Sequence, residues 1–258
     1  MMRYYGGKWR IAPWVISHFP THKIYVEPFG GAASVLLRKP RSYAEVYNDL
    51  DGSIVNVFRV ARDHGAELKR LLEMTPYARD EFELAYEDTE DLIERARRTL
   101  IRSMMGFSSV GALRKTGFRS NTTRSYTTPA TDWTGYPAAL EGIIERLRGV
   151  VIENKDALKV MASQDTPDTL HYVDPPYVLS TRDDKEYRHE MDDTQHRELG
   201  AFLRDLKGRV IVSGYESPLY DELFAGWVKR EKDSVADQAR RRKEVLWMNF
   251  HPDVSLFS

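Results

Sequence analysis

Leu170-His171-Tyr172-Val173-Asp174-Pro175-Pro176-Tyr177 is the stretch on which the fold of this chain turns. Leu170 to Val173 has the length and branching of a buried strand. Two consecutive prolines then forbid further ladder pairing and immediate entry into a helix. The strand therefore ends in a stiff corner, with a carboxylate before it and an aromatic ring after it. In an open α/β sheet, ligands bind at the carboxyl ends of the strands. Proline has no N–H, so Asp174 and the Pro175 carbonyl could accept hydrogen bonds from one amino group without competing donors alongside. Tyr177 is placed to stack on the ring bearing that amine, an arrangement suited to a nucleobase. Taken alone, the same residues also make an ordinary strand-ending turn.

Upstream, Ile24-Tyr25-Val26-Glu27 reads as a short strand, followed by Pro28-Phe29-Gly30-Gly31-Ala32-Ala33-Ser34 and the apolar Val35-Leu36-Leu37. Strand, small-residue turn and helix start make a place where backbone N–H groups face a ligand. The spaced glycine fingerprint of dinucleotide sites is absent, which speaks against NAD. Glu27 could bind an amino group. Ala44 to Tyr47 reads as a second strand ending in Asn48-Asp49. Asp49 stands where ribose hydroxyls are held in this architecture; it could equally cap the next helix, a task Asp51 could take instead. Before all of this, Tyr4-Tyr5-Gly6-Gly7-Lys8 precedes a helix expected from Ile11 to Phe19. The double glycine permits close backbone approach, yet the spacing is not that of a Walker motif, and a turn with a solvated lysine is the competing reading.

From Ile54 to Gly149 the strand–helix alternation lapses. Leu68, Leu71 and Leu72 share one helical face, as do Leu92, Ala96, Leu100 and Met104, and then Leu140, Ile143, Ile144 and Leu147. Between the last two, Ser108 to Thr128 is a Gly-, Ser- and Thr-rich loop or hairpin with Phe118 and Tyr126 interspersed. Arg114, Lys115, Arg119 and Arg124 could lie there against phosphates, with other side chains reaching base edges; a solvated basic loop is the alternative. Residues 60–149 read as an inserted, mainly helical domain, with 1–59 and 150–258 forming the α/β body.

The alternation resumes at Val150 to Glu153, and Asp156 just past that strand could meet a purine edge or cap the helix that follows. After the proline corner, Val178 to Asp192 is a long polar segment suited to a mobile cover, containing Arg182, Tyr187, Arg188 and His189. A helix over Thr194 to Leu206 stops at Gly208 and leads into the strand Arg209 to Tyr215. Trp227–Arg230 and Glu244–Phe250 read as a final strand pair. The run Arg240-Arg241-Arg242-Lys243 between them is either a phosphate contact or a solvated run.

Composition sets the outer bounds. The chain has 258 residues, 41% of them hydrophobic, with a formal net charge of -1 and no cysteine. A sizeable core is affordable, and thiolate metal sites, thiol nucleophiles and disulfides are excluded. No metal is expected. No segment has the apolar length of a membrane span and Met1 to Arg10 does not read as a signal peptide, so a soluble, cytoplasmic protein is expected. Charge is uneven despite the near-zero total: Glu73 to Asp91 is mostly acidic, whereas Ile101 to Pro129 has five basic residues and no acid.

The order Tyr5-Gly6-Gly7-Lys8, Glu27-Pro28-Phe29-Gly30-Gly31, Asn48-Asp49, an insertion, and Asp174-Pro175-Pro176-Tyr177 resembles the Dam-type (D12 class) adenine-specific DNA methyltransferases. The likeness spans nearly the whole chain, and Tyr187 to His196 and Glu244 to Asn249 look like its bacteriophage branch. The resemblance implies a Rossmann-like methyltransferase sheet with S-adenosylmethionine as cofactor, the insertion as target-recognition domain, and double-stranded DNA as partner. A cognate restriction endonuclease or a solitary enzyme would both be compatible. By position, Tyr5 and Lys8 would line the methionine end of the cofactor; Gly7, Glu27 and Asp156 are further expected cofactor contacts. Phe29, Gly30 and Gly31 would form the cofactor turn and Asp49 would take the ribose. Asp174, Pro175, Pro176 and Tyr177 would be catalytic, acting on adenine N6 in a flipped-out base. Ala33 stands where the family often has a second glycine, which implies a helix set slightly further back. Cytosine N4, an RNA adenine, a non-catalytic nucleic-acid-binding protein of the same fold and a nucleotide-dependent oxidoreductase are the alternatives.

Overall fold

The structure, a computed structural model, describes residues 2–123, 127–181, 187–235 and 241–252. In chain order, α1 (Ala12–Ile16), β1 (Ile24–Glu27) and β2 (Ala44–Asn48) come first. A helical run follows: α2 (Gly52–Asp63), α3 (Gly65–Glu73), α4 (Arg79–Leu84), α5 (Leu92–Met105) and α6 (Pro129–Leu147). Strand and helix then alternate through β3 (Val150–Glu153), α7 (Ala157–Gln164), β4 (Thr169–Val173), α8 (Asp193–Arg204), β5 (Arg209–Tyr215) and α9 (Pro218–Leu223). The hairpin of β6 (Val228–Val235) and β7 (Arg241–Met248) comes last. The chain divides into two units, Met1–Gly7 with Asp51–Ile152 and Lys8–Leu50 with Glu153–Ser258, and the division falls inside β3.

Among the described residues, the strands form a seven-stranded sheet in the order β3-β2-β1-β4-β5-β7-β6. β1 runs parallel to both β2 and β4, with Val26 opposite Val46 on one side and His171 on the other. β4 is parallel to β5, pairing Val173 with Val212. Every residue of β4 is buried, as expected of a parallel strand covered on both faces. Val160 and Met161 from α7, Leu199 and Leu203 from α8, and Leu219 and Tyr220 from α9 join Val26, Val173, Val212 and Trp247 in one core cluster. The chain leaves β1 toward β2 and returns later to β4 on the other side. The switch point of the sheet therefore lies between β1 and β4, with Glu27 and Val173 ending on the same edge. β7 is antiparallel between β5 and β6 and sets Glu244 opposite Tyr215, at that same edge.

Two expected helices come out differently. No helix follows the glycine turn, where residues 30–39 form successive turns. The Leu36 N–H donates to the Glu27 carboxyl at 2.9 Å instead of to a carbonyl one helical turn back, and Ala33 sits at φ 53°, which interrupts helical hydrogen bonding. The first helix ends at Ile16 rather than Phe19. There the Ser17 hydroxyl donates to the Trp14 carbonyl and the His18 ring pairs with the same oxygen, and Pro20 follows.

In the helical unit, α5 packs on α2 and α6 packs on α3. Ile54, Phe58, Leu68, Leu72, Leu100, Ile101, Leu140 and Leu147 are fully buried. Asp51 caps α2 by accepting the Ser53 N–H, and Asp91 caps α5. The N-terminal strip belongs to this unit: Ser103 Oγ donates to the Arg3 carbonyl at 2.7 Å and the Arg3 guanidinium donates to the Gly106 carbonyl.

Candidate active site

The site is built where β1, β4 and β5 end. Asp174 is the first residue past β4, and its side chain is 16% exposed, enough to be reached. Its Oδ1 accepts from Ser213 Oγ at 2.7 Å, and its Oδ2 lies 2.9 Å from Lys8 Nζ. With the Ser213 proton committed to Asp174, the Tyr172 hydroxyl, 3.1 Å away, donates to Ser213 Oγ. Both oxygens of Asp174 are thus oriented by the protein. Pro175 is buried and Pro176 half-buried.

Lys8 joins several of these groups. Its ammonium is buried, 3.8 Å from Glu244 Oε1 and 4.6 Å from the centre of the Tyr177 ring. Burial alone would push the lysine pKa down, but the Asp174 and Glu244 carboxylates outweigh it and hold the pKa above the usual value. The Tyr177 hydroxyl donates to Glu244 Oε1. Burial, with Glu244 and Asp174 nearby, holds that phenol well above its ordinary pKa, so it stays a donor. Burial raises the Glu244 carboxyl to about 6, Asp174 adding to the rise while Lys8 and Tyr177 oppose it. The Tyr177 ring is 5% exposed and meets Tyr215 edge-on at 4.6 Å. Tyr177 therefore presents a buried ring with a lysine over it rather than an open stacking face.

The turn after β1 is fastened to the end of β2. Gly30 N–H donates to the Asn48 carbonyl, Gly31 N–H to Asp49 Oδ2 and the Tyr47 hydroxyl to the Gly31 carbonyl, each at 2.8 Å. A Cβ at Gly30 would lie 2.1 Å from the Tyr47 ring, so only glycine fits, and Gly31 has φ 47°. Phe29 packs against the core cluster containing Val173 and Val178. Asn48 and Asn154 extend the fastening: Asn48 bonds the Pro28 carbonyl and both backbone groups of Lys155, and Asn154 donates to the carbonyls of Asp49 and Leu50.

Two expected cofactor contacts, Glu27 and Asp156, are engaged within the protein itself. Glu27 points inward. It is 2% exposed, and its Oε2 accepts from the Tyr25 hydroxyl at 2.6 Å and from Leu36 N–H. Burial pushes its pKa up to about 8, the hydrogen bonds from Tyr25 and Leu36 opposing, so it braces the turn from inside. Asp156 is exposed and caps α7 through Lys159 N–H, the second of its two readings. Tyr5 and Gly7 fall in the helical unit, where Gly7 N–H closes a turn onto the Tyr4 carbonyl.

The basic loop of the helical unit is anchored by aromatics. Phe118 lies tilted against Tyr77 and Phe82, and Gly106 and Phe118 form a bridge. Arg114 and Lys115 are exposed, whereas the Arg119 side chain is only 11% exposed and lies 3.7 Å from Asp132. Arg124 and Tyr126 lie outside the described residues, as do Arg182 of the expected cover and Arg240. His196, at the end of the stretch that resembles the bacteriophage branch, is buried on α8 with Nδ1 3.2 Å from the Tyr220 hydroxyl. Lys243 pairs with Glu231 across the hairpin at 3.0 Å. Among the described residues there is no cluster of His, Asp or Glu suited to a metal, and no helix is long and apolar enough to cross a membrane.

The sequence reading left out Ser213 and Glu244 as site residues. Their signal is a polar side chain inside an otherwise apolar strand: Ser213 after Val210-Ile211-Val212, and Glu244 before Val245-Leu246-Trp247-Met248. Buried polar groups at strand ends need partners, and here those partners are Asp174, Lys8 and Tyr177.

A Rossmann-like sheet with a glycine turn at its switch point and an Asp-Pro-Pro-Tyr corner beside it defines a methyltransferase of the S-adenosylmethionine-dependent class. The model of the D12 class N6 adenine-specific DNA methyltransferase family matches residues 4–238, and the chain belongs to that family. It uses S-adenosylmethionine to methylate N6 of adenine in DNA. Cytosine N4, RNA adenine, a non-catalytic binding protein and an oxidoreductase are thereby set aside. A comparison with curated proteins finds no match.

Proposed function

We propose that the chain methylates one specific sequence of double-stranded DNA, acting on an adenine swung out of the duplex, with Asp174 and the Pro175 carbonyl as acceptors for its two N6 hydrogens. The supporting observation is the Asp174 carboxylate, oriented by Ser213 and Lys8 at the switch point of the sheet. The adenine N6 lone pair is delocalised into the ring and is a poor nucleophile. Holding both hydrogens favours a pyramidal nitrogen and localises that pair toward the methyl donor, so that catalysis is mainly positioning. The bound cofactor supplies a methyl group on a positively charged sulfur, which departs as a neutral thioether. One N6 proton passes to Asp174 Oδ2 and on to water as the carbon–nitrogen bond forms. Phe29, Gly30, Gly31 and Asp49 are the residues that would hold the cofactor, with Lys8 toward its methionine end.

The helical unit serves as the target-recognition part, with Arg114 and Lys115 on phosphates, Arg119 shaping the loop, and Arg124 assigned from sequence alone. The enzyme works in the cytoplasm of a bacterium or phage-infected cell, alone or beside a cognate restriction endonuclease. The test is Asp174→Ala with tritiated cofactor on unmethylated bacterial DNA. Transfer is lost while the cofactor still raises the melting temperature; full activity refutes the assignment.

A further inference from the structure

Lys8 stands on the acceptor that the proposed chemistry needs. Its ammonium is 2.9 Å from Asp174 Oδ2, the oxygen that must accept an adenine hydrogen, and it lies over the Tyr177 ring, 4.6 Å from its centre. An adenine amine cannot displace a buried ammonium into nothing, because an unpaired charge there is costly. A second carboxylate waits nearby: Glu244 Oε1 is 3.8 Å from the same nitrogen and already holds the Tyr177 hydroxyl. β7 delivers it from a remote part of the sequence, at the strand position facing Tyr215. Glu244 is 3% exposed, and a site needing only a Tyr177 anchor would have no use for a buried charge.

We propose that Glu244 is a positioning residue that receives the Lys8 ammonium when the target adenine takes Asp174. The inference rests on the reading of Asp174 as the acceptor of the N6 hydrogen. A shift of about 1 Å in the lysine suffices to exchange partners, and displacements of that size at a reacting centre are worth about a hundredfold in rate. Until DNA arrives, the lysine neutralises Asp174; afterwards it neutralises Glu244, so the buried charge is paired throughout.

The exchange needs an ionised Glu244. The groups facing it are Lys8, Asp174, Tyr177 and Tyr172, with Tyr215 opposite on β5 and Lys232 opposite on β6. Burial and then Asp174 raise its carboxyl to about 6. As pH falls through that value Glu244 takes up a proton, Lys8 stays on Asp174, and methyl transfer slows.

The experiment is single-turnover transfer of tritiated methyl to unmethylated bacterial DNA across pH, for the wild type, Glu244→Gln and Asp174→Asn. The wild-type rate falls on the acid side of about 6. Glu244→Gln keeps an acceptor for Tyr177, binds cofactor by thermal shift, loses about a hundredfold in rate at neutral pH, and lacks that acid limb. Wild-type rates and an unchanged acid limb in Glu244→Gln overturn the inference while an inactive Asp174→Asn leaves the reading of the site intact. An active Asp174→Asn refutes that reading itself. Should Glu244→Gln not fold, the wild-type profile decides: a rate that is flat through about pH 6 overturns the exchange.

Discussion

Replacing Glu27 by Gln tests how the turn after β1 is held. In the folded chain the Glu27 carboxyl is buried, and burial lifts its pKa to about 8 against the opposing hydrogen bonds from Tyr25 and Leu36. In the unfolded chain it titrates like an ordinary glutamate. Below the unfolded value both states are protonated and the interaction contributes fully. As pH rises toward the folded value only the unfolded chain releases its proton, and stability falls by about 1.4 kcal/mol per pH unit. Between about pH 5 and 7.5 the loss is about 3 kcal/mol, and at about 2–4 °C per kcal/mol for a chain of this size it lowers the melting temperature by about 6–12 °C. Glutamine presents the same Oε to Tyr25 and Leu36 and has no proton to lose. The assay is thermal unfolding of cofactor-free protein by circular dichroism at both pH values, read as the difference between wild type and Glu27→Gln. Glu27→Gln is expected to gain on the wild type as pH rises; parallel pH dependence in the two proteins refutes the assignment of Glu27 as a buried, protonated brace.

Gly30→Ala places a methyl group 2.1 Å from the Tyr47 ring, which costs about 1–3 kcal/mol as overpacking and weakens cofactor binding, measured by calorimetry; unchanged affinity would mean the turn does not hold the cofactor. Arg114→Ala and Lys115→Ala each lower the slope of log affinity for DNA against log salt by about 0.9 if each side chain neutralises one phosphate, read by fluorescence anisotropy over a salt series. An unchanged slope removes that residue from the DNA surface. Asp174→Ala separates catalysis from cofactor binding as described above.

The sequence by itself determined the elements whose local signals are strong. β1 and β5 were legible to the residue from runs of branched and aromatic side chains, because a buried parallel strand needs apolar residues on both faces. The proline corner, the glycine turn and their order were legible as well, and the family match runs across both. The failures share one physical cause. Val35-Leu36-Leu37 has a helical composition, but a side chain nine positions away takes the Leu36 N–H, and local propensity yields to that tertiary hydrogen bond. Glu27 and Asp156 occupy the positions expected of ligands at strand ends, yet one turns inward to Tyr25 and the other caps its own helix. Ser213 and Glu244 meet Asp174 and Tyr177 only because the sheet order brings β5 next to β4 and the antiparallel β7 next to β5. Spacing along the chain carries no trace of that adjacency. Which carboxylate stays partly exposed at the strand ends, which braces a turn and which is buried beside a shared ammonium is set by burial and by partners distant in sequence, and so only the tertiary structure decided it.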